Sequence, residues 1–154
     1  MGLDQYLTAR KFISGYSFDE NSGEYHSLIK LLGFNDGGIQ SSAPSANVEL
    51  TVAYWRKKNQ IHNWFVNNCQ NGIDECQKTY VEREKLKELR DLCQSVIETK
   101  DISKLETTSG FFFGSTDYDE RYFKGLEDTV KQLDSILNNP KFDNNWSFYY
   151  QSSW

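Results

Sequence analysis

The chain has 154 residues and a formal net charge of −5 at pH 7. Hydrophobic residues make up 38% of it and aromatic residues 15%, so its core must contain many aromatic rings. Net acidity argues against a protein that binds the nucleic-acid backbone, because such proteins carry a basic face. The three cysteines match no metal or disulfide spacing, and no stretch reaches the roughly 20 apolar residues of a membrane span. We therefore expect one domain over residues 1–154, with no cofactor, no metal and no membrane contact.

The N-terminal part of the sequence predicts a strand, a helix and a loop. Residues 3–13 alternate in polarity, with Leu3 and Leu7 on one side, which is the period of a half-covered strand. Residues 24–34 repeat their apolar side chains at helical spacing. The stretch 35–46 combines two adjacent glycines with a proline, a composition typical of the mobile surface loops that often carry binding groups.

Residues 47–65 predict a strand that runs directly into an amphipathic helix. Every second residue from Val48 to Tyr54 is apolar, as expected of a half-buried strand. From Tyr54 onward the apolar residues follow a period of 3.6, and Gln60 falls on the polar side of the predicted helix.

The first turn of this predicted helix carries Arg56, Lys57 and Lys58, and residues 53–55 offer no capping side chain. Cations at the positive end of a helix dipole are unfavourable, by roughly 0.3–1 kcal/mol each at exposed sites. The pattern therefore favours a bound anion such as a phosphate or a carboxylate. Two alternatives remain open: the strand continues for another residue or two, or an acidic side chain such as Glu49 neutralises the charge.

His62 lies within the apolar arc of the same helix, between Trp55 and Phe65. A histidine in this position is either a hydrogen-bonded core residue or, because imidazole titrates near neutral pH, a ligand contact or a general base. The sequence alone does not separate these roles.

The C-terminal half predicts two further strands and two helices. A short strand is expected over residues 76–81, a helix with a charged surface over 82–98, a second helix over 116–138 and a last strand over 146–154. The last strand alternates cleanly and ends on Trp154, so we expect that ring to be packed.

Three phenylalanines stand between two glycines within residues 107–120. On an extended backbone alternate rings point to opposite sides, so Phe112 would face away from Phe111 and Phe113 and would be free to stack on a ligand or a partner. The alternative is that all three rings are buried. The acidic residues that follow, Asp119 among them, fit a cap for the next helix better than a divalent-metal site.

The order of the predicted elements is strand, helix, strand, helix, strand, helix, helix, strand. This order fits an α+β fold, with a mainly antiparallel sheet of about four strands and three to four helices packed on one face. The middle third of the chain is the only part with more basic than acidic residues, so an anion would bind there most readily. Nothing in the pattern distinguishes a monomer from a homo-oligomer.

A resemblance to a family of small proteins of tailed bacteriophages and prophages is carried by four segments: MGLDQYL, YWRKKNQIHNWFV, TTSGFFFGSTDYDE and FYYQSSW. They extend over nearly the whole chain, and their combination is specific although no single segment is. The resemblance implies an accessory viral protein in the cytoplasm of a host bacterium, with a role in host takeover or counter-defence. It implies a setting and no particular reaction, so no catalytic residue is carried over.

Three functions follow as expectations. The first is binding of a small anionic, nucleotide-like ligand without turnover. The second is inhibition or bridging of a host defence protein through exposed aromatic rings. The third is a small hydrolase or phosphodiesterase that uses His62 with Asp119. The ligand-binding prediction comprises Trp55, Arg56, Lys57, Asn59, His62, Asn63, Thr108, Ser109, Phe112, Tyr149 and Gln151.

Overall fold

The computed structural model describes residues 2–35 and 39–154. Within them the chain forms a four-stranded antiparallel sheet and four α-helices, which confirms the predicted α+β fold. A 3₁₀ turn at Ile102–Lys104 precedes the last helix. In chain order the elements are β1 (Asp4–Ser14), α1 (Ser22–Leu31), β2 (Ser45–Arg56), α2 (Asn59–Cys69), β3 (Thr79–Val81), α3 (Arg83–Thr99), α4 (Glu120–Leu137) and β4 (Trp146–Ser153).

The strands lie in the order β2-β1-β4-β3, so the first and last strands of the chain are neighbours in the middle of the sheet. The short strand β3 pairs antiparallel with β4, and Tyr80 lies opposite Tyr149. Within the described residues, no helix combines the length and the apolar character needed to span a bilayer.

The chain divides into two compact units. The larger one consists of residues up to Ala9 together with residues 51–154, and its core is formed by one face of the sheet and by α2, α3 and α4. The smaller unit, residues 10–50, has its own apolar cluster around α1. Whether the chain behaves as one domain, as its length suggests, stays a prediction.

Two strands follow the predicted alternation. Leu3, Gln5 and Leu7 are completely buried in or beside β1, and Tyr150 and Ser152 are buried in β4. The alternation is clear in both stretches because polar or hydroxyl-bearing side chains make up most of their other face, with the exposed Phe12 as an exception in β1, and the strands are confirmed.

The boundaries of other elements differ from the predicted ones to varying extents. Helices α3 and α4 lie within the ranges predicted for them to within a few residues. The third strand begins only at Thr79, and β2 already begins at Ser45, inside the stretch predicted as a loop. Residues 36–38 of that predicted loop lie outside the described residues.

The predicted junction between the second strand and its helix is wrong, and the alternative in which the strand continues for another residue or two is confirmed. The strand continues to Arg56 and α2 begins only at Asn59, so none of the three cations lies inside the helix. The predicted inner face of the strand is also wrong at its end, since Trp55 is buried and Tyr54 is 42% exposed. The indole of Trp55 turns inward and donates to Thr129 Oγ1 at 2.9 Å, while the Tyr54 hydroxyl bonds to Asp4 outside the core.

The prediction that the three phenylalanines lie on an extended segment is wrong as well. A turn is closed by Phe113 N–H, which donates to Gly110 O at 3.2 Å, so the three rings do not alternate. Phe111 is 94% exposed, whereas Phe112 and Phe113 are half-buried.

The expected packing of Trp154 is only partial, because its ring is 46% exposed although Nε1 donates to Asp74 Oδ1 at 3.2 Å.

Candidate functional site

A sharp turn joins β2 to α2 and shapes the candidate site. Lys57 adopts a left-handed backbone conformation with φ 54°, and its N–H donates to Leu3 O at 2.8 Å. Gly114, with φ 91°, lies directly against it. A Cβ on Gly114 would come within 3.0 Å of Lys57 Cβ and 3.2 Å of Lys57 O, so this close approach requires glycine.

The loop around Gly114 is held by Asn59, the first residue of α2. Its side chain is completely buried and donates to Phe113 O at 3.2 Å and to Ser115 O at 2.9 Å. The amide oxygen of Asn59 accepts from Thr108 N–H at 3.0 Å. One buried amide therefore fixes both arms of the loop beside the start of the helix.

Between this loop, the junction and α4 lies a cleft of about 210 Å³. Four cations line it and outnumber its two carboxylates, and none of the lining residues belongs to the smaller unit. The lining residues are Arg56, Lys57, Lys58, Gln60, Thr107, Gly114, Ser115, Asp117, Asp119, Arg121 and Tyr122.

The carboxylates of the cleft are both engaged by neighbouring groups. Asp119 caps α4, since its Oδ1 accepts from the N–H groups of Arg121 at 2.9 Å and Tyr122 at 3.1 Å. Asp117 Oδ2 accepts from the hydroxyl of Ser115 at 2.8 Å. These bonds hold the loop and the end of the helix in shape.

The cations of the cleft are engaged unequally. Lys58 Nζ donates to Arg121 O at 3.1 Å, and Arg56 lies 3.9 Å from Asp4. The side chains of Lys57 and Arg121 make no hydrogen bond or ion pair with any described residue. Within the described part of the chain, Lys57 and Arg121 thus have neither a counterion nor a hydrogen-bond acceptor for their charged groups.

Gln60 is the most unusual member of the cleft. Its side chain is only 3% exposed, yet its amide has no hydrogen-bond partner among the described residues. It is the second residue of α2, and Lys58 at the N-cap makes no side-chain capping bond. The side-chain atoms that are closed off from solvent and unpaired within the described residues are Gln70 Oε1 and Ser152 Oγ, so the Gln60 amide keeps contact with the cleft and can donate to a group bound there.

Behind the cleft, His62 belongs to a closed hydrogen-bond network. Gln5 Nε2 donates to Lys58 O at 3.1 Å, so Gln5 Oε1 is the acceptor for the Tyr150 hydroxyl at 3.0 Å. The Tyr150 oxygen in turn lies 2.8 Å from Nδ1 of His62, while Nε2 of the same ring lies 2.8 Å from Asp74 Oδ2. Both ring nitrogens are therefore occupied.

Burial keeps the tyrosines of this region protonated. It raises the pKa of Tyr150 well above its ordinary value, and the charge of Asp74 raises it further. Burial also raises the pKa of Tyr122, whose hydroxyl donates to Leu105 O at 2.6 Å. Neither hydroxyl is a source of negative charge near the cleft at physiological pH.

The structure brings only some of the predicted ligand residues together. Arg56 and Lys57 line the cleft, whereas Trp55 and Asn59 are buried behind it. His62 is 1% exposed, does not line the cleft and pairs with Asp74, not with Asp119.

The remaining predicted residues lie outside the cleft. Asn63 accepts from Asn67 at 3.0 Å on the surface of α2. Thr108, Ser109 and Phe112 belong to the adjoining loop but do not line the cleft. Tyr149 and Gln151 lie on the face of β4 opposite the core: Tyr149 contacts the ring of Tyr80 at 5.9 Å, and Gln151 donates to Cys76 O at 3.1 Å.

Sequence reasoning missed Gln60, Thr107, Ser115 and Arg121 as cleft residues. Gln60 belongs to the polar arc of the helix, and it is buried because the whole first turn of α2, from Asn59 to His62, is covered by other parts of the fold. Arg121 carries a weak signal, a cation just inside a helix N-terminus where cations are unfavourable. Thr107 and Ser115 carry none, because only the fold brings them to the start of α2.

No group of three or more metal-binding side chains is found among the described residues. Comparison of the chain with protein-family models, with curated proteins and with solved structures finds no match.

Proposed function

We propose that the chain binds a small anionic, nucleotide-like ligand in the cleft at the start of α2, without turnover. The observation that carries this proposal is the Gln60 amide, which is almost completely buried, lines the cleft and has no partner within the described residues. This amide opens onto the cleft beside the cations, so an oxygen of a bound ligand can accept from it.

The charges of the cleft support an anion as the ligand. Lys57 and Arg121 have no counterion among the described residues, and Arg121 lies in the first turn of α4, where its charge is unfavourable for the helix. The uncapped start of α2 adds a positive helix end to the same cleft. A guanidinium with free N–H groups suits the paired oxygens of a phosphoryl group.

The proposal assigns no nucleophile or general base. Asp117 and Asp119 already accept hydrogen bonds from neighbouring groups, and His62 does not line the cleft. In the phage setting that the resemblance implies, such binding would serve counter-defence in the host cytoplasm by sequestering a nucleotide signal.

Isothermal titration calorimetry with inorganic phosphate, pyrophosphate and a nucleoside monophosphate tests the proposal. Arg121→Ala should weaken binding at least tenfold, because it removes an unpaired cation from the cleft. Lys124→Ala is the matched control: Lys124 lies one turn further along α4, pairs with Glu127 and Asp128, and does not line the cleft. Absence of binding at millimolar concentration, or equal losses in the two variants, would refute the proposal.

A second candidate function, binding of a host protein, is favoured by Phe111. Its ring is 94% exposed on a loop that Asn59 holds in place, so little ordering would be needed when a partner buries the ring. A tagged protein should then retain a bacterial protein at stoichiometric yield, and Phe111→Ser should release it. Equal retention by the native chain and the variant would contradict this role.

A further inference from the structure

A second groove lies next to the cleft. It has a volume of about 450 Å³ and is lined by the last residues of β2 and by one side of α4. Arg56 and Lys58 line both the cleft and the groove, so the two spaces share a wall. The lining residues are Tyr54, Trp55, Arg56, Lys58, Asp128, Lys131 and Gln132, all in the larger unit.

Gly125 determines how this shared wall is built. A Cβ at this position would lie 2.9 Å from the Cδ and Cε atoms of Lys58, so the lysine chain runs closely across α4 at the glycine. Arg121, on the N-terminal side of this crossing, lines the cleft, and Asp128, on the other side, lines the groove. The side chain of Lys58, together with Arg56, therefore lies between two spaces that a longer ligand would span.

The sizes of the two spaces differ in a way that bears on the ligand. Sites for small molecules commonly measure about 300–1,000 Å³. The cleft, at about 210 Å³, is below this range and suits a single charged group, whereas the groove, at about 450 Å³, lies within it. The cleft alone would thus hold only part of a nucleotide.

The groove offers the chemistry that a ring with polar edges requires. Two aromatic residues of the strand line it, Tyr54 and Trp55; Trp55 is almost completely buried, so Tyr54 is the ring that a ligand can contact. Gln132 accepts from Tyr54 N–H at 2.8 Å through Oε1, and its amide nitrogen has no partner among the described residues. Lys131 is exposed and likewise makes no bond to a described residue. Aromatic surface with a few free donors is typical of sites that bind aromatic heterocycles.

We propose that the groove holds the nucleoside part of a nucleotide whose phosphoryl group lies in the cleft, with Arg56 and Lys58 between the two parts. This inference rests on the proposed function and assigns the ligand class within it: a phosphorylated aromatic heterocycle, bound by its phosphate and by its ring.

The test compares ribose 5-phosphate with adenosine and cytidine 5′-monophosphates by calorimetry. The native chain should bind at least one nucleotide ten or more times more tightly than ribose 5-phosphate. Lys131→Ala and Tyr54→Ala should remove this advantage and leave the affinity for ribose 5-phosphate unchanged. Lys141→Ala, which alters an exposed lysine outside the groove, is the control.

The outcomes separate this inference from the proposed function. Equal affinities of the native chain for ribose 5-phosphate and for both nucleotides would overturn the groove assignment while phosphate binding in the cleft stands. The same holds if Lys131→Ala and Tyr54→Ala both leave the nucleotide advantage intact. If none of the three phosphates binds, the proposed function fails and the inference fails with it.

Discussion

The network around His62 and the cleft next to it are built from the same helix turn, yet they treat polar groups in opposite ways. His62 has a partner at each ring nitrogen, and Gln5 uses both ends of its amide. Gln60, two residues before His62, is nearly as buried and has no partner among the described residues. Lys57 and Arg121 on the same side are also unpaired.

This difference distinguishes a structural polar cluster from a binding site. A closed network stabilises the fold because every buried donor and acceptor is satisfied, and removing one member leaves others unpaired. An open set of polar groups contributes little to the fold and is available to a ligand. Substitutions in the network should therefore lower stability, and substitutions in the cleft should lower affinity while stability is kept.

The largest effect is expected for His62→Ala. It leaves Tyr150 and Asp74 without their partner and opens a cavity in the core, so the free energy of unfolding should fall by about 3 kcal/mol. Urea denaturation measures the change. His26→Ala, which alters an exposed histidine of α1, is the control and should change stability by less than about 0.5 kcal/mol. A similar small change for both histidines would contradict a structural role for the network.

A smaller loss is expected for Gln5→Met, which conserves the shape of the side chain. The Tyr150 hydroxyl loses its acceptor and the carbonyl of Lys58 loses a donor, at a cost of about 2 kcal/mol. Because Lys58 O also accepts from the backbone of α2, the start of the helix should become less protected in hydrogen exchange. Unchanged exchange at Ile61 and His62 would show that Gln5 does not support the junction.

The sequence predicted β1 and β4 because only one face of each stretch is apolar. In β2 both faces carry apolar residues near the end: Val52 and Tyr54 on one, Ala53 and Trp55 on the other. The period of the pattern alone does not show which of two such faces is buried. Partners distant in sequence decide it, since Trp55 bonds to Thr129 in α4 and Tyr54 bonds to Asp4 in β1.

Contacts distant in sequence also explain why the pattern identifies only part of the site. It points to the cations Arg56 and Lys57, but it places Gln60 on the solvent side, whereas the whole first turn of α2 is covered in the fold. The left-handed turn at Lys57 displaces the helix start, and this turn depends on the close approach of Gly114. No local pattern in the sequence predicts a contact between Lys57 and Gly114, which are far apart in the chain.

A gain in stability is expected for Lys57→Gly. A lysine with positive φ is strained, and glycine adopts this conformation freely, so the free energy of unfolding should rise by about 0.5–1 kcal/mol. The affinity for phosphate should fall because a cation leaves the cleft. Arg56→Gly, inside β2, is the control and should lower stability. If Lys57→Gly left phosphate binding unchanged, Lys57 would have no part in the site.

The smallest effect on stability is expected for Gln60→Met, the counterpart of Gln5→Met. The two glutamines are both buried, and they differ in that Gln5 has partners and Gln60 has none among the described residues. An apolar group of the same shape leaves no donor unsatisfied, so stability should change by no more than about 0.5 kcal/mol or should rise. Phosphate affinity should nevertheless fall, because the ligand loses a buried donor. A loss of stability as large as that of Gln5→Met would mean that the Gln60 amide already has a partner in the free protein, and the cleft would then resemble the His62 network instead of a binding site.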